Sequence, residues 1–158
     1  MQEIKPIKRS NELAPLSREH QDGLLLVWKI RQGVRKQIAP ERIVCFCKWF
    51  WENDLQPHTL NEERLLSKVL HLEHPMLQQM FAEHKLIRQK FIELSEATTY
   101  DDLEIIATML NDHIRFEERQ LFNEVEKLAT PEDLQVVAKQ LEHKNTCAVW
   151  EDEFWLNN

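Results

Sequence analysis

The sequence predicts an all-α protein: an antiparallel up-down-up-down four-helix bundle over residues 16–128, preceded by an N-terminal extension, 1–15, and followed by an additional C-terminal helix and tail, 129–158, packed on the bundle. Three observations carry this expectation. Only two of the 158 residues are glycine, Gly23 and Gly33, whereas a β-rich chain of this size needs turn glycines regularly. Apolar residues recur at spacings of three and four along several long segments, which is the period of an amphipathic helix. The breakers between those segments are short, and short connections make consecutive helices antiparallel neighbours.

Each element follows from its start and stop signals. The first helix is expected from about Ser17, a plausible N-cap, to about Gln37, where Ala39-Pro40 interrupts the pattern. Pro40 suits the first turn of a second, long helix reaching about Leu72. Pro57 inside it removes a backbone hydrogen bond and predicts a bend. His74-Pro75 opens the third helix, which ends near Glu96. Thr98-Thr99-Tyr100 forms the next connection, and Asp101-Asp102 place negative charge at the positive start of a fourth helix that continues to about Leu128. Thr130-Pro131-Glu132 starts a shorter fifth helix to about Lys144, followed by a tail from Cys147 to Asn158. No internal repeat or domain boundary is evident.

The formal net charge of −7 argues against a nucleic-acid surface, which normally carries a basic patch. Lys5, Lys8 and Arg9 form a short basic stretch that is expected to be a frayed, solvated end. No apolar run approaches the roughly 20 residues needed to span a bilayer, and Met1 to Ser10 lacks the apolar middle of a secretory signal. Cys45, Cys47 and Cys147 form no even disulfide framework. Cys45 and Cys47, two apart in a helix, point to different sides, and all three thiols are expected to be buried and inert rather than redox-active. A reducing cytoplasm is the expected location.

The inward stripes hold the informative residues. The third helix reads Leu77, Met80, His84, Ile87, Phe91, Leu94, an apolar seam interrupted by one histidine. The fourth reads Leu103, Ile106, Leu110, His113, Glu117, Leu121, and the second Cys47, Trp51, Leu55, His58, Glu62, Leu65, Val69. The first gives Leu16, His20, Leu24, Val27, Ile30, Val34. Every long helix points a histidine inward, and two add a glutamate one turn later.

Antiparallel helices bring two residues to one height when the turn lies midway between them. The midpoint of 20 and 58 is 39, at Ala39-Pro40; that of 58 and 84 is 71, just before His74-Pro75; that of 84 and 113 falls at Thr98-Thr99. Three independent breaks therefore predict one layer containing all four histidines. Unpaired buried carboxylates cost several kcal/mol each, and no lysine or arginine occupies the stripes near that layer. Two metal cations, bridged by Glu62 and Glu117 and bound by two histidines each, would supply the missing positive charge. Nitrogen and oxygen donors of this kind suit iron, manganese or zinc, and the lack of cysteine at this level argues against a structural zinc site. His71, His74 and His143 are expected to be surface or capping residues. Glu63 and Glu118 face about 100° away from the presumed ligands and are expected to be solvated or to support them.

His58-x-x-x-Glu62 and His113-x-x-x-Glu117, preceded by His20 and separated by His84, resemble the hemerythrin-type HHE cation-binding family. The stretches PHTLNEERLL and LNDHIRFEERQLF carry most of the resemblance. It implies two iron ions, with His20 and His58 on one, His84 and His113 on the other, both glutamates bridging, and a third oxo or hydroxo bridge from solvent. The oxygen-carrying hemerythrins have two histidines a turn apart on the third helix, whereas the position four before His84 is Met80, a poor ligand for oxidised iron. Their fourth helix uses a His-to-Asp spacing of five rather than the four separating His113 and Glu117. The match is therefore to the four-histidine, two-carboxylate variant found in sensor, iron-handling and stress-response members. Ferritin-like sites use Glu-x-x-His pairs, and no histidine here has a glutamate three residues before it.

The resulting expectation is a non-haem di-iron protein that binds or senses oxygen, peroxide or nitric oxide at open coordination positions, walled by Met80, Ile87, Leu110 and Ile114. No acid–base or nucleophile constellation lies outside the ligands, which disfavours a dedicated organic-substrate enzyme and leaves oxidase, peroxidase-like or nitric-oxide chemistry open. Iron handling or iron-centre repair is the alternative. A third reading makes the chain an interaction module, with the aromatic tail VWEDEFW as its binding segment.

Overall fold

A computed structural model describes residues 8–141 and 149–156. Among them the chain is all-helical, with five rods and no strand. Rod α1 is Ala14–Arg35. Rod α2 covers 40–66 as Pro40–Phe50, a wider π-helical turn Trp51–Leu55, and Gln56–Leu66. Rod α3 is Pro75–Ile92. Rod α4 covers 100–128 as Tyr100–Phe116, a second π turn Glu117–Leu121, and Phe122–Leu128. Rod α5 is Pro131–Gln140.

Local chemistry sets these boundaries. Pro15 occupies the first turn of α1, so that helix begins three residues before Ser17, with Leu13 as its N-cap. Thr99 and Thr130 cap α4 and α5 in reciprocal capping boxes with Asp102 and Asp133, each satisfying otherwise orphaned amides. His74 caps α3 by accepting from the Met76 amide. Rod α2 stops at Leu66 rather than Leu72: Lys68 and Val69 close tight turns onto Leu65 and Leu66, and buried Leu70 is drawn into the core. Pro57 is accommodated by the π turn just before it, where Gln56 donates to the Trp51 carbonyl. The wide turn sits where the absent proline N–H would otherwise have closed an α-turn.

Neighbouring rods run antiparallel. Gly33 of α1 meets Ile43 of α2 near one end, while Leu16 and Leu65 share the core at the other. Gly23 of α1 lies against Ile114 of α4, and Arg31 of α1 pairs with Glu104 of α4 at 2.9 Å. Trp51 of α2 stacks on Phe91 of α3 with ring centroids 5.2 Å apart.

The apolar interior is divided in two. One core gathers Leu26, Ile30, Phe46, Ile87, Phe91, Leu110 and Ile114, with Phe154 and Trp155 of the C-terminal segment. The other gathers Leu16, Leu65, Leu77, Met80, Phe122 and Val125, closed by Val137 of α5. Between them lie the buried polar residues. The C-terminal segment is fastened by Arg42 to Asp152 through two hydrogen bonds of 2.9 and 2.6 Å and by Lys36 to the Trp155 carbonyl at 2.8 Å. Phe154 is fully buried, so these aromatic side chains pack inward rather than forming a free docking strip. No helix among the described residues is long and apolar enough to cross a membrane. Cys47 is buried as expected, but Cys45, two residues away and so on another side of the helix, is exposed; Cys147 and His143 lie outside the described residues.

Candidate metal centre

Rods α1 to α4 each deliver side chains to the layer between the two cores. His20 comes from α1, His58 and Glu62 from α2, His84 from α3, and His113 and Glu117 from α4; none is more than 5 % exposed. They form two overlapping groups, His20–His58–Glu62–Glu117 and His84–His113–Glu62–Glu117, with candidate ligand atoms within 4.8 Å of one another in each. The glutamates belong to both groups. The His20 and His58 ring centroids are 4.7 Å apart, as are those of His84 and His113.

The inward atoms crowd together without bonding. His20 Nε2 lies 3.4 Å from Glu62 and 3.6 Å from Glu117; His84 Nε2 lies 3.5 and 3.8 Å from the same two. His58 Nε2 is 2.8 Å from Glu62, and His113 Nε2 touches Glu117. Yet the four Nε2 atoms and all four carboxylate oxygens of Glu62 and Glu117 are buried without a protein hydrogen-bond partner. At about 1–3 kcal/mol for each buried group left unpaired, six such side chains approach the whole stability of an ordinary domain. Positive charge within this layer would offset that cost, and the two groups could hold metal ions.

Electrostatics points the same way. Burial is the largest influence on each imidazole and alone would lower its pKa. The surrounding carboxylates reverse that, holding His20 and His84 well above the ordinary range, His113 above it, and His58 up to about 9. Burial likewise pushes Glu62 and Glu117 upward, but the imidazoles outweigh it and both carboxyls stay ionised below their ordinary range. The layer therefore favours positive charge, which protonated imidazoles or bound cations can supply. Buried imidazole nitrogens and carboxylate oxygens, with no sulfur in either group, fit a pair of borderline or hard metal ions. Cys47 sits in the core beyond the layer, its thiol pushed up to about 12 by burial.

Compared with family models, with curated proteins and with solved structures, the chain matches none. Its site must be read from its own geometry.

Outer contacts complete the site. Each imidazole turns its Nδ1 away from the centre toward a carboxylate: His20 to Glu118 at 2.6 Å, His58 to Glu19 at 3.3 Å, His84 to Glu63 at 3.1 Å, and His113 to Glu83 at 2.9 Å. An ionised carboxylate only accepts, so each Nδ1 carries a proton and each Nε2 is directed inward, where loss of its own proton would free a lone pair for a metal. Sequence reasoning set Glu63 and Glu118 apart without finding their partners, and passed over Glu19 and Glu83. A signal was present: the dipeptides Glu19-His20 and Glu83-His84 recur, as do Glu62-Glu63 and Glu117-Glu118. Arg9 also departs from expectation. Its side chain is only 7 % exposed, bonds Asn123, Glu126 and both the carbonyl and carboxylate of Glu118, and lies over Phe122, which stacks on His20.

A small cavity adjoins the cluster, bounded by Gly23, Leu55, Ile87, Leu110 and Ile114 beside the ligands. Only about 10 Å³ of it admits a water-sized molecule, roughly the room for a single water. Met80 is not part of this wall; it packs in the core on the opposite side of the layer. Gly23 matters here, because a Cβ at that position would meet Ile114 Cδ1 at 2.7 Å.

Proposed function

We propose that the chain is a hemerythrin-like protein, its four long rods forming an up-down-up-down bundle, and that it binds or senses oxygen, peroxide or nitric oxide at a non-haem di-iron centre. The observation that carries this reading is the set of eight unpaired, buried donor atoms arranged as two groups sharing Glu62 and Glu117. His20 and His58 would hold one ion, His84 and His113 the other, with both glutamates bridging. Two histidines and two shared carboxylates leave each ion short of six ligands, and such a pair supplies open coordination positions and one-electron chemistry.

The chain's own residues supply selection by size. A cavity with room for about one water leaves no space for an organic substrate beside the ligands and favours the smallest ligands, which would enter by displacing that water. Leu55, Ile87, Leu110 and Ile114 keep bulk water from the inward faces of the imidazoles. Deep burial of all six ligands favours retention of the ions over donation to an acceptor, which supports ligand binding ahead of iron handling.

The test is metal analysis of purified protein combined with visible spectra under argon, after aeration and after nitric oxide. Two irons per chain and charge-transfer bands that change with either gas are expected. A chain that takes up no iron when it is offered, or holds iron whose spectrum ignores both gases while the metal passes freely to a chelator, would overturn the reading.

A further inference from the structure

We infer that Glu19, Glu63, Glu83 and Glu118 form a closed ring of positioning carboxylates that biases the bound metal pair toward its more highly charged, oxidised state. This rests on the di-iron reading above. The ring is visible in the connectivity. Glu19 on α1 holds His58 on α2; Glu63 on α2 holds His84 on α3; Glu83 on α3 holds His113 on α4; and Glu118 on α4 returns to His20 on α1. Every rod orients the histidine of the next, and no imidazole is left to choose its own tautomer.

Orientation alone could be achieved by backbone carbonyls or water, which are common partners of ligating histidines. Here all four partners are charged. Each stands one imidazole width from the site, with its side chain only 20–28 % exposed, so solvent screens it incompletely. Arg9 reaches Glu118 at 3.2 Å and Arg88 reaches Glu63 at 3.8 Å. Among the described residues Glu19 and Glu83 have no ion pair with arginine or lysine. A negative charge at fixed distance stabilises a trivalent ion more than a divalent one by the interaction with one additional unit of charge. The ring therefore lowers the tendency of the centre to accept electrons, while leaving its ligand set unchanged.

The experiment uses the full chain, loaded with ferrous iron under argon and poised against mediator dyes that deliver one electron per iron. Glu19→Gln and Glu83→Gln keep a carbonyl oxygen to accept from Nδ1–H and remove only the charge. Each is expected to retain the wild-type iron content and to lose the preference for ferric over ferrous iron by about tenfold, a shift of about 59 mV to more positive potential for a one-electron couple. Glu93→Gln, an exposed carboxylate near the end of α3, should leave the potential where it was. Unmoved potentials with iron retained would overturn the inference, as would loss of iron from both glutamine variants, which would make the ring a purely structural brace. A wild-type chain that binds no iron would instead refute the proposed function on which the inference stands.

Discussion

Sharing of Glu62 and Glu117 between the two metal groups predicts an asymmetry between glutamate and histidine variants. Glu62→Ala removes a donor from both groups at once, whereas His58→Ala leaves the His84–His113–Glu62–Glu117 group intact. Metal content should fall from about two ions per chain to near zero in the first case and to about one in the second. Thermal stability gives an independent reading. A ligand that binds only the folded state at about 100 times its dissociation constant contributes about 2.7 kcal/mol, so two ions contribute about 5 kcal/mol. At roughly 2–4 °C per kcal/mol for a chain of this length, metal should raise the wild-type Tm by about 10–20 °C. His58→Ala should show about half that rise and Glu62→Ala none. Elemental analysis after gel filtration, paired with thermal scans with and without metal, reads both quantities. Equal metal content in Glu62→Ala and His58→Ala, or a full complement in either, would refute the shared-bridge argument.

Other predictions concern protons, thiols and the N-terminal contact. Without metal, the His58 pKa of about 9 against an ordinary 6.5 means that its stabilisation is complete below about pH 6.5 and is lost as pH rises through about 9. Urea unfolding of metal-free protein should show lower stability at pH 9 than at pH 6.5, and the reverse order would contradict the assignment. Metal uptake should run the opposite way, strengthening as pH rises, because protons must leave the imidazoles. Iodoacetamide at pH 8 should label exposed Cys45 and spare Cys47, whose thiol is pushed up to about 12; peptide mapping with Cys47 modified in folded protein would count against its burial. Arg9→Ala should destabilise the chain by about 2–4 kcal/mol, since charged hydrogen bonds contribute about 1.5–3 kcal/mol each. A Tm within a degree or two of wild type would show that the contacts to Glu118 and Glu126 carry little.

The six central side chains were legible in the sequence because two periodicities agree. Helical spacing turns each of them inward, and the breaks at Ala39-Pro40, His74-Pro75 and Thr98-Thr99 set them at one height. Inference from a single seam could not reach the outer carboxylates. Glu19 and Glu83 lie beside ligands on their own rods, about 100° around the helix, and act on a neighbouring rod, so their role depends on how rods are juxtaposed. Arg9 was misread for a related reason: charge composition at a terminus says nothing about acceptors more than a hundred residues away, such as Glu118 and Glu126. The early end of α2 reflects tertiary burial of Leu70 prevailing over a continuing apolar pattern. The π turns at Trp51–Leu55 and Glu117–Leu121 are one-residue adjustments that periodicity does not resolve.

The order in which the donors occur along the chain has a consequence for biosynthesis. His20, His58 and Glu62 emerge early from a ribosome, but both groups also need Glu117, and the contact that steadies His20 comes from Glu118. A nascent chain therefore offers an incoming ion incomplete coordination until translation has passed α4 and that rod has docked against the first. Under the proposed di-iron reading, full coordination would therefore wait for a late stage of maturation.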